Sequence, residues 1–171
     1  MSGLIANNAL RFIFLILFQA LILNNIELGG YVNPYLYILF ILWLPFEMQL
    51  WVTLLLGFLL GFFMDVFTGT MGLHIAASVF LAYCRAFVLK ILAPREGYEF
   101  GLRPNIQDMG VPWFVTYSGI MIFLHHGALI FVEAFRFSEF FHTLLRVFLS
   151  SIFTFILVTL SQFLIYREKA R

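Results

Sequence analysis

“GFLLGFFMDVFTGTMGLH”, residues 57–74, is the stretch of sequence that decides how this chain folds. Its first half is as apolar as a lipid-facing helix, yet Asp65 lies within the apolar run and His74 closes it. Four residues recur at a spacing of four: Gly57, Gly61, Asp65 and Gly69. On a helix, this spacing predicts a stripe along one face, where small side chains let a second helix approach closely.

The end of the stretch predicts a tight turn between two helices. Gly69 and Gly72 suit such a turn because glycine adopts conformations that other residues avoid. Across the resulting hairpin we expect Asp65 and His74 to meet and to form a hydrogen-bonded polar pair that fixes the two helices. A contact with a ligand or partner is the alternative role for these residues. Leu60, between the glycines, is expected to face lipid.

The composition is that of an integral membrane protein. Of the 171 residues, 63% are hydrophobic and only 11% are charged, whereas soluble domains are about half apolar and a quarter charged. No stretch is polar enough to form a second domain, so residues 1–171 are expected to form a single membrane domain. The net charge of +1 gives no indication of nucleic-acid binding. The single cysteine, Cys84, excludes an internal disulfide.

Five apolar runs are long enough to cross a bilayer as helices, which takes about 20 residues. They cover residues 10–26, 50–67, 73–92, 111–135 and 140–166. A sixth run, “PYLYILFILWLP” (residues 34–45), lies between prolines and would rise only about 18 Å as a helix. It is predicted to be either a short, tilted span or a re-entrant hairpin.

Cations favour the six-span arrangement. With six spans and a cytoplasmic amino terminus, the cytoplasmic side receives Arg11, Arg85, Lys90, Arg95, Arg103, Arg167, Lys169 and Arg171. The external side receives Arg136, and Arg146 lies just within the last span. The excess of cations in cytoplasmic segments therefore predicts an all-α polytopic protein with about six membrane helices, one of them short, and both termini in the cytoplasm. Five spans, with an external amino terminus and a re-entrant hairpin, are the alternative.

“FLHHGALIFVEAFRF”, residues 123–137, is a second concentration of polar residues. His125 and His126 lie near the middle of a predicted span, where ionisable residues are candidates for function. No zinc-binding signature accompanies them. Hydrogen bonds to hydroxyl groups are expected instead, and the candidate partners are Thr116, Ser150, Ser151 and Thr154. Tyr35 and Trp43, at the ends of the short run, are predicted to be interfacial aromatics.

A mixed-charge cluster is predicted at the outer end of the last two spans. Its members are Glu133, Arg136, Glu139, His142 and Arg146. The cluster is either a solvated hairpin or an external docking point. No catalytic group, metal site or cofactor fingerprint is recognisable, since no nucleophile has a base at a fixed spacing and no phosphate-binding loop occurs.

The stretch at residues 57–74 resembles the central signature of the rod-shape-determining membrane protein MreD family. The shared features are a glycine-bearing helix, an aspartate and a short turn, “TGTMGLH”, that opens the next span. The preceding “NNIELGGYVNPYLYILFILWLPFE”, residues 24–47, is also similar to that of family members. The loop at residues 93–112 and the last two spans carry no matching motif.

The resemblance implies a non-enzymatic scaffold of the bacterial cell-elongation (rod) complex in the cytoplasmic, or inner, membrane. Such a scaffold supports rod shape and lateral peptidoglycan synthesis. Its implied partner is the single-span protein MreC and, indirectly, MreB, a SEDS glycosyltransferase and a class B penicillin-binding protein.

The family also resembles the substrate-binding subunits of energy-coupling-factor transporters. The alternative function is therefore that of a substrate-binding membrane subunit of a vitamin-type transporter. Such a subunit needs polar groups that converge on a cavity near the outer face. The predicted outer loops are short and offer few polar groups, and the scaffold is favoured for this reason.

Overall fold

The computed structural model describes residues 2–26, 32–135 and 140–165, and this part of the chain is helical and contains no strand. Its α-helices are α1 (Ser2–Leu21), α2 (Leu39–Leu42), α3 (Leu50–Thr68), α4 (Leu73–Ile91), α5 (Ile106–Met109), α6 (Val111–Ala134) and α7 (Phe140–Ile165). Two short 3₁₀ helices, Leu23–Asn25 and Leu36–Ile38, complete the order. The all-α class predicted from the sequence is confirmed for these residues.

Five helices in the described part of the chain are long and apolar enough to span a membrane. They are Asn7–Asn25, Leu50–Thr68, Leu73–Ile91, Val111–Ala134 and Phe140–Leu164. Each coincides with one of the five long apolar runs. The sequence and the structure therefore both indicate a multi-pass membrane protein.

The turn between α3 and α4 depends on its two glycines. Gly69 ends α3 with a φ of +69°, and Gly72 precedes α4 with a φ of +87°. Residues with a side chain rarely adopt positive φ angles, so glycine is required at both positions for its backbone freedom. The predicted stripe is thus wrong at Gly69, which belongs to the turn and would leave open space around an added Cβ.

Gly57 and Gly61 form the packing face of α3 against α4. A Cβ added at Gly57 would lie 2.9 Å from the carbonyl oxygen of Ser78, and one added at Gly61 would lie 2.5 Å from that of His74. The two backbones are therefore too close to admit a side chain at either position. The face predicted from the spacing is internal to this hairpin. Leu60 does not face lipid as expected; its exposed fraction is 0% because it belongs to the core of the bundle.

We call residues 34–45 the central segment, because long helices pack around it on several sides. Only seven of its residues are helical, from Leu36 to Leu42, which corresponds to a rise of about 10 Å. All seven are buried. Phe40 packs edge to face on Phe12 of α1, and Tyr37 reaches His74 of α4.

The central segment runs through the bundle lengthwise. We call the end of the bundle that holds residues 69–72 the turn end, and the end that holds residues 92–110 the loop end. At the turn end, Tyr37 contacts His74, near the start of α4. At the loop end, Phe46 stacks on Tyr98 at a centroid distance of 4.0 Å. The two ends of the segment thus lie at opposite ends of the bundle, whereas a re-entrant hairpin would return to the same end.

Arg85 is buried inside the bundle, near its loop end. The sequence placed it with the cytoplasmic cations; its exposed fraction is 3%, and it lies within α4. The guanidinium is buried because it binds backbone carbonyl groups at the end of the central segment.

Candidate functional site around the central segment

The backbone of the central segment needs hydrogen-bond partners from other elements. A helix of seven residues leaves most of its N–H and C=O groups without partners inside the helix. Inside a membrane no water supplies them, so an irregular backbone is tolerated only where surrounding protein groups do. Buried polar side chains of α1, α4, α6 and α7 fill this role.

Gln19 of α1 caps the start of the segment with both halves of its amide. Its nitrogen donates a hydrogen bond of 2.8 Å to the carbonyl oxygen of Pro34, and its oxygen accepts one of 2.7 Å from the N–H of Leu36. The side chain is fully buried. Gln19 therefore fixes the level at which the segment begins its helical turn.

Two hydroxyl groups of α7 bind the extended backbone just before that turn. The Ser150 hydroxyl accepts from the N–H of Asn33 at 3.0 Å, and the Thr154 hydroxyl accepts from the N–H of Tyr35 at 3.1 Å. These contacts join residues more than a hundred positions apart in sequence. They attach α7 to the central segment.

Arg85 and Tyr117 bind the other end of the segment. The Arg85 guanidinium donates to the carbonyl oxygens of Leu44 and Pro45, the latter at 3.2 Å, and also to the Tyr117 hydroxyl at 3.1 Å. Tyr117 in turn donates to the carbonyl oxygen of Leu42 at 3.2 Å. A cation is favourable at this position because carbonyl groups at a helix C-terminus carry partial negative charge.

Asp65 caps α4. One carboxylate oxygen accepts from the backbone N–H of His74 at 3.0 Å and from the Thr70 hydroxyl at 2.5 Å; the other accepts from the N–H of Ile75 at 3.0 Å. The predicted pairing of Asp65 with His74 thus exists, but it uses the backbone amide and leaves the imidazole free for another partner. A carboxylate at this position satisfies unpaired N–H groups and complements the positive end of the helix.

Tyr37 links two histidines at the turn end of the segment. Its hydroxyl lies 2.9 Å from Nδ1 of His74 and 2.8 Å from Nε2 of His125. Nδ1 of His125 is buried and has no partner among the described residues. A buried N–H without a partner is rarer than a buried acceptor without one. We therefore assign the proton of His125 to Nε2, which donates to Tyr37, and Tyr37 donates to His74.

His126 is occupied on both ring nitrogens. Nδ1 donates to the carbonyl oxygen of Ile122 at 2.9 Å, and Nε2 accepts from the Thr154 hydroxyl at 3.0 Å. Of the four hydroxyl partners expected for the histidine pair, Thr154 makes the contact. Across the described ranges no group of three or more histidine, cysteine or acidic side chains is arranged to hold a metal ion.

An open cavity of about 400 Å³ lies at the turn end, beside the histidines. Polar residues contribute much of its lining: Asn24, Asn25, Asn33, Tyr35, Thr68, Thr70, His74 and Glu133. The short outer loops predicted few polar groups at this end. Many of the polar groups come instead from the ends of helices and from the start of the central segment.

The mixed-charge cluster is described only in part. Glu133 and Arg146 form an ion pair with an N–O distance of 3.3 Å, and the Glu133 side chain is 42% exposed. Arg136 and Glu139 lie outside the described residues. The Arg146 side chain is only 18% exposed and its Nε is buried, so the Glu133 carboxylate is the more accessible member of the pair.

Several residues of the site were not predicted from the sequence as site residues: Gln19, Tyr37, Tyr117 and Arg85, the last of which was considered only as a cytoplasmic cation. Gln19 and Arg85 carried a detectable signal, since each is a polar residue inside an otherwise apolar run. Tyr35, predicted to be an interfacial aromatic, has its ring instead among His74, His125 and His126, with centroid distances of 5.3–5.9 Å. Tyrosine in an apolar run gave no hint of this position.

Comparisons of the chain with protein-family models, with curated proteins and with solved structures found no match. A functional assignment therefore rests on the residues of this chain and on their geometry.

Proposed function

We propose that this chain is a non-enzymatic membrane scaffold of the bacterial cell-elongation complex, which binds the transmembrane helix of an MreC-like protein. The observation that carries the proposal is that the buried polar side chains form hydrogen bonds within the chain itself. Gln19, Asp65 and Arg85 all bind backbone groups of the chain itself. Side chains committed in this way hold a fold together, and they leave the lipid-facing surface as the main surface for a partner.

The two stretches that resemble the MreD family meet in space. Tyr37, from residues 24–47, hydrogen-bonds His74, from residues 57–74. The polar groups of both stretches thus belong to one structural unit, the central segment and the capped helix beside it. A shared unit of this kind supports a common origin for the two resemblances.

We further propose six crossings, with the loop end of the bundle in the cytoplasm and both termini there. Arg11 of α1 and Gln162 of α7 line one cavity at the loop end, so the first and last helices share that end. Lys90, Arg95 and Arg103 also belong to the loop end. Among the described residues, Arg146 is the cation at the turn end. This asymmetry supports the assignment of sides.

We place the partner helix on α7. An apolar row along α7 faces lipid: Leu145, Phe148, Ile152, Ile156, Leu160 and Phe163. At its turn end the same helix carries Arg146, which pairs with Glu133, and the Glu133 side chain is 42% exposed. A single-span partner lying along this row reaches a charged contact at the outer surface. MreB, the SEDS glycosyltransferase and the class B penicillin-binding protein are proposed as indirect partners through MreC.

The test is copurification with tagged MreC from detergent, with unrelated single-span proteins as controls. Ile152→Trp enlarges a lipid-facing side chain of α7, and Val66→Trp makes the same kind of change on α3, where the side chain is 62% exposed. We expect the α7 variant to lose MreC and the α3 variant to retain it. Depletion of the protein should turn rod-shaped cells round. Failure of the wild-type chain to retain MreC, in cells that stay rod-shaped without it, contradicts the proposal.

The cavity at the turn end supports a second candidate, a substrate-binding subunit of a small-molecule transporter. Its volume of about 400 Å³ falls within the range of about 300–1,000 Å³ for small-molecule sites. Mass spectrometry of the purified protein distinguishes the two candidates. A stoichiometric small molecule that is lost when His74 is changed to Phe, together with lost vitamin uptake in cells without the protein, favours the transporter.

A further inference from the structure

Two arginines at the loop end border a cavity and have no acidic partner among the described residues. Arg11 of α1 and Arg103 of the α4–α6 loop both line a cavity of about 130 Å³. An adjoining space of about 50 Å³ shares both arginines and Trp43 with it. Within the described ranges neither guanidinium forms a salt bridge, and the two cations lie close enough to repel each other.

Neighbouring groups hold the arginines in place without neutralising them. The guanidinium carbon of Arg11 lies 5.3 Å from the centroid of the Trp43 ring, a cation–π contact that orients the charge. The carboxylate of Asp108, in the same loop, accepts instead from the backbone N–H of Arg103 and from the side-chain amide of Asn105. The positive charge at the cavity therefore remains uncompensated by these groups.

Gln162 gives an independent indication of a ligand. Only 7% of this α7 residue is exposed, it lines the same cavity, and its amide makes no hydrogen bond within the part of the chain that the structure describes. The side-chain amide of Gln162 offers N–H donors and a C=O acceptor to a ligand in this cavity. An anion with several oxygen atoms would accept hydrogen bonds from Gln162 and from both arginines together.

We propose that these residues, Arg11, Trp43, Arg103 and Gln162, form a site for the phosphate group of an anionic phospholipid. Arginine suits this ligand because its planar fork binds phosphate oxygens through two hydrogen bonds. The site lies near the loop-end boundary of the spans, where lipid headgroups are expected: Arg11 is four residues after the start of the apolar span Asn7–Asn25, and Gln162 is in the last turn of α7. Leu10 and Phe14, on either side of Arg11, are 68% and 59% exposed and offer an apolar surface to the acyl chains. Basic pockets between membrane helices are suited to such headgroups.

The test measures lipid retained by the full-length protein in native mass spectrometry after incubation with phosphatidylglycerol or phosphatidylcholine. We expect phosphatidylglycerol to be retained in preference. The double variant Arg11→Gln/Arg103→Gln should lower this retention tenfold or more, since each cation near an anionic headgroup contributes about fivefold. Replacement of both arginines by lysine should give an intermediate loss, because the charge remains but the fork is removed.

Arg95→Gln is the matched control, because it removes one exposed cation from the same loop without changing the cavity. Retention should be unchanged in this variant. Equal retention of the two lipids, or an equal loss in Arg95→Gln and in the double variant, overturns the proposal. Displacement of the lipid by millimolar inorganic phosphate would show that free phosphate is the ligand and would equally overturn it. Size-exclusion profiles that match the wild type establish that each variant is folded.

Discussion

Gly61→Ala is the smallest change that tests the close approach of α3 and α4. The added Cβ would lie 2.5 Å from the carbonyl oxygen of His74 and would also collide with Cα of Ile75. Ordinary contact begins at 3.4 Å, so the helices must separate by about 1 Å at this point. Both of these atoms belong to the backbone, so a change of side-chain rotamer cannot relieve the clash.

The separation would also weaken the cap of α4. Asp65 binds the N–H groups of His74 and Ile75 at 3.0 Å, and a further 1 Å places both beyond the usual limit of about 3.2 Å. Overpacking costs about 1–3 kcal/mol, and loss of an N-cap costs about 1 kcal/mol. We therefore expect the free energy of unfolding to fall by about 2–4 kcal/mol.

The assay is equilibrium unfolding of the purified protein in mixed micelles, with increasing denaturing detergent. Gly127→Ala is the matched control, because Gly127 lies within α6 and an added Cβ there has no atom within 4 Å. Its stability should stay the same or rise slightly, since alanine favours helices over glycine. Equal stability of Gly61→Ala and Gly127→Ala would refute the packing described for α3 and α4.

Substitutions of Asp65, Arg85 and Tyr37 test the polar contacts, with Tyr35→Phe as a control. Each is measured by the same unfolding assay, and a reporter fusion tests the topology. Asp65→Asn should lose about 1–2 kcal/mol, because an amide has one acceptor oxygen where the carboxylate uses two; stability equal to wild type would contradict the cap. Arg85→Met should be destabilising by about 2–4 kcal/mol, since it leaves the carbonyl groups that end the central segment unpaired, and Arg85→Lys should recover part of the loss. Tyr37→Phe should lose about 1–3 kcal/mol, whereas Tyr35→Phe, whose hydroxyl makes no hydrogen bond within the described residues, should lose little; the reverse order would contradict the proposed histidine link. A phosphatase fused at residue 2 should be inactive, because the amino terminus is proposed to be cytoplasmic, and an active fusion would favour the five-span topology.

The sequence alone determined the membrane class and the five long helices. A helical span in lipid requires about 20 apolar residues. Because these residues are consecutive, the spans can be read directly from the sequence. The close packing at Gly57 and Gly61 was also predictable, because a spacing of four places small residues on one helix face. The α3–α4 turn followed from Gly69 and Gly72 for a similarly local reason.

The tertiary structure alone decided the partners of the polar residues. The sequence marked Asp65 and His74 as neighbours, but only the folded hairpin assigned the carboxylate to backbone N–H groups and the imidazole to Tyr37. It likewise placed Arg85 on the carbonyl groups that end the central segment. A short helix inside a membrane must obtain hydrogen bonds from whichever side chains surround it. Those side chains come from distant parts of the chain, as Ser150 does for Asn33, and no periodic pattern in the sequence records which residues will meet.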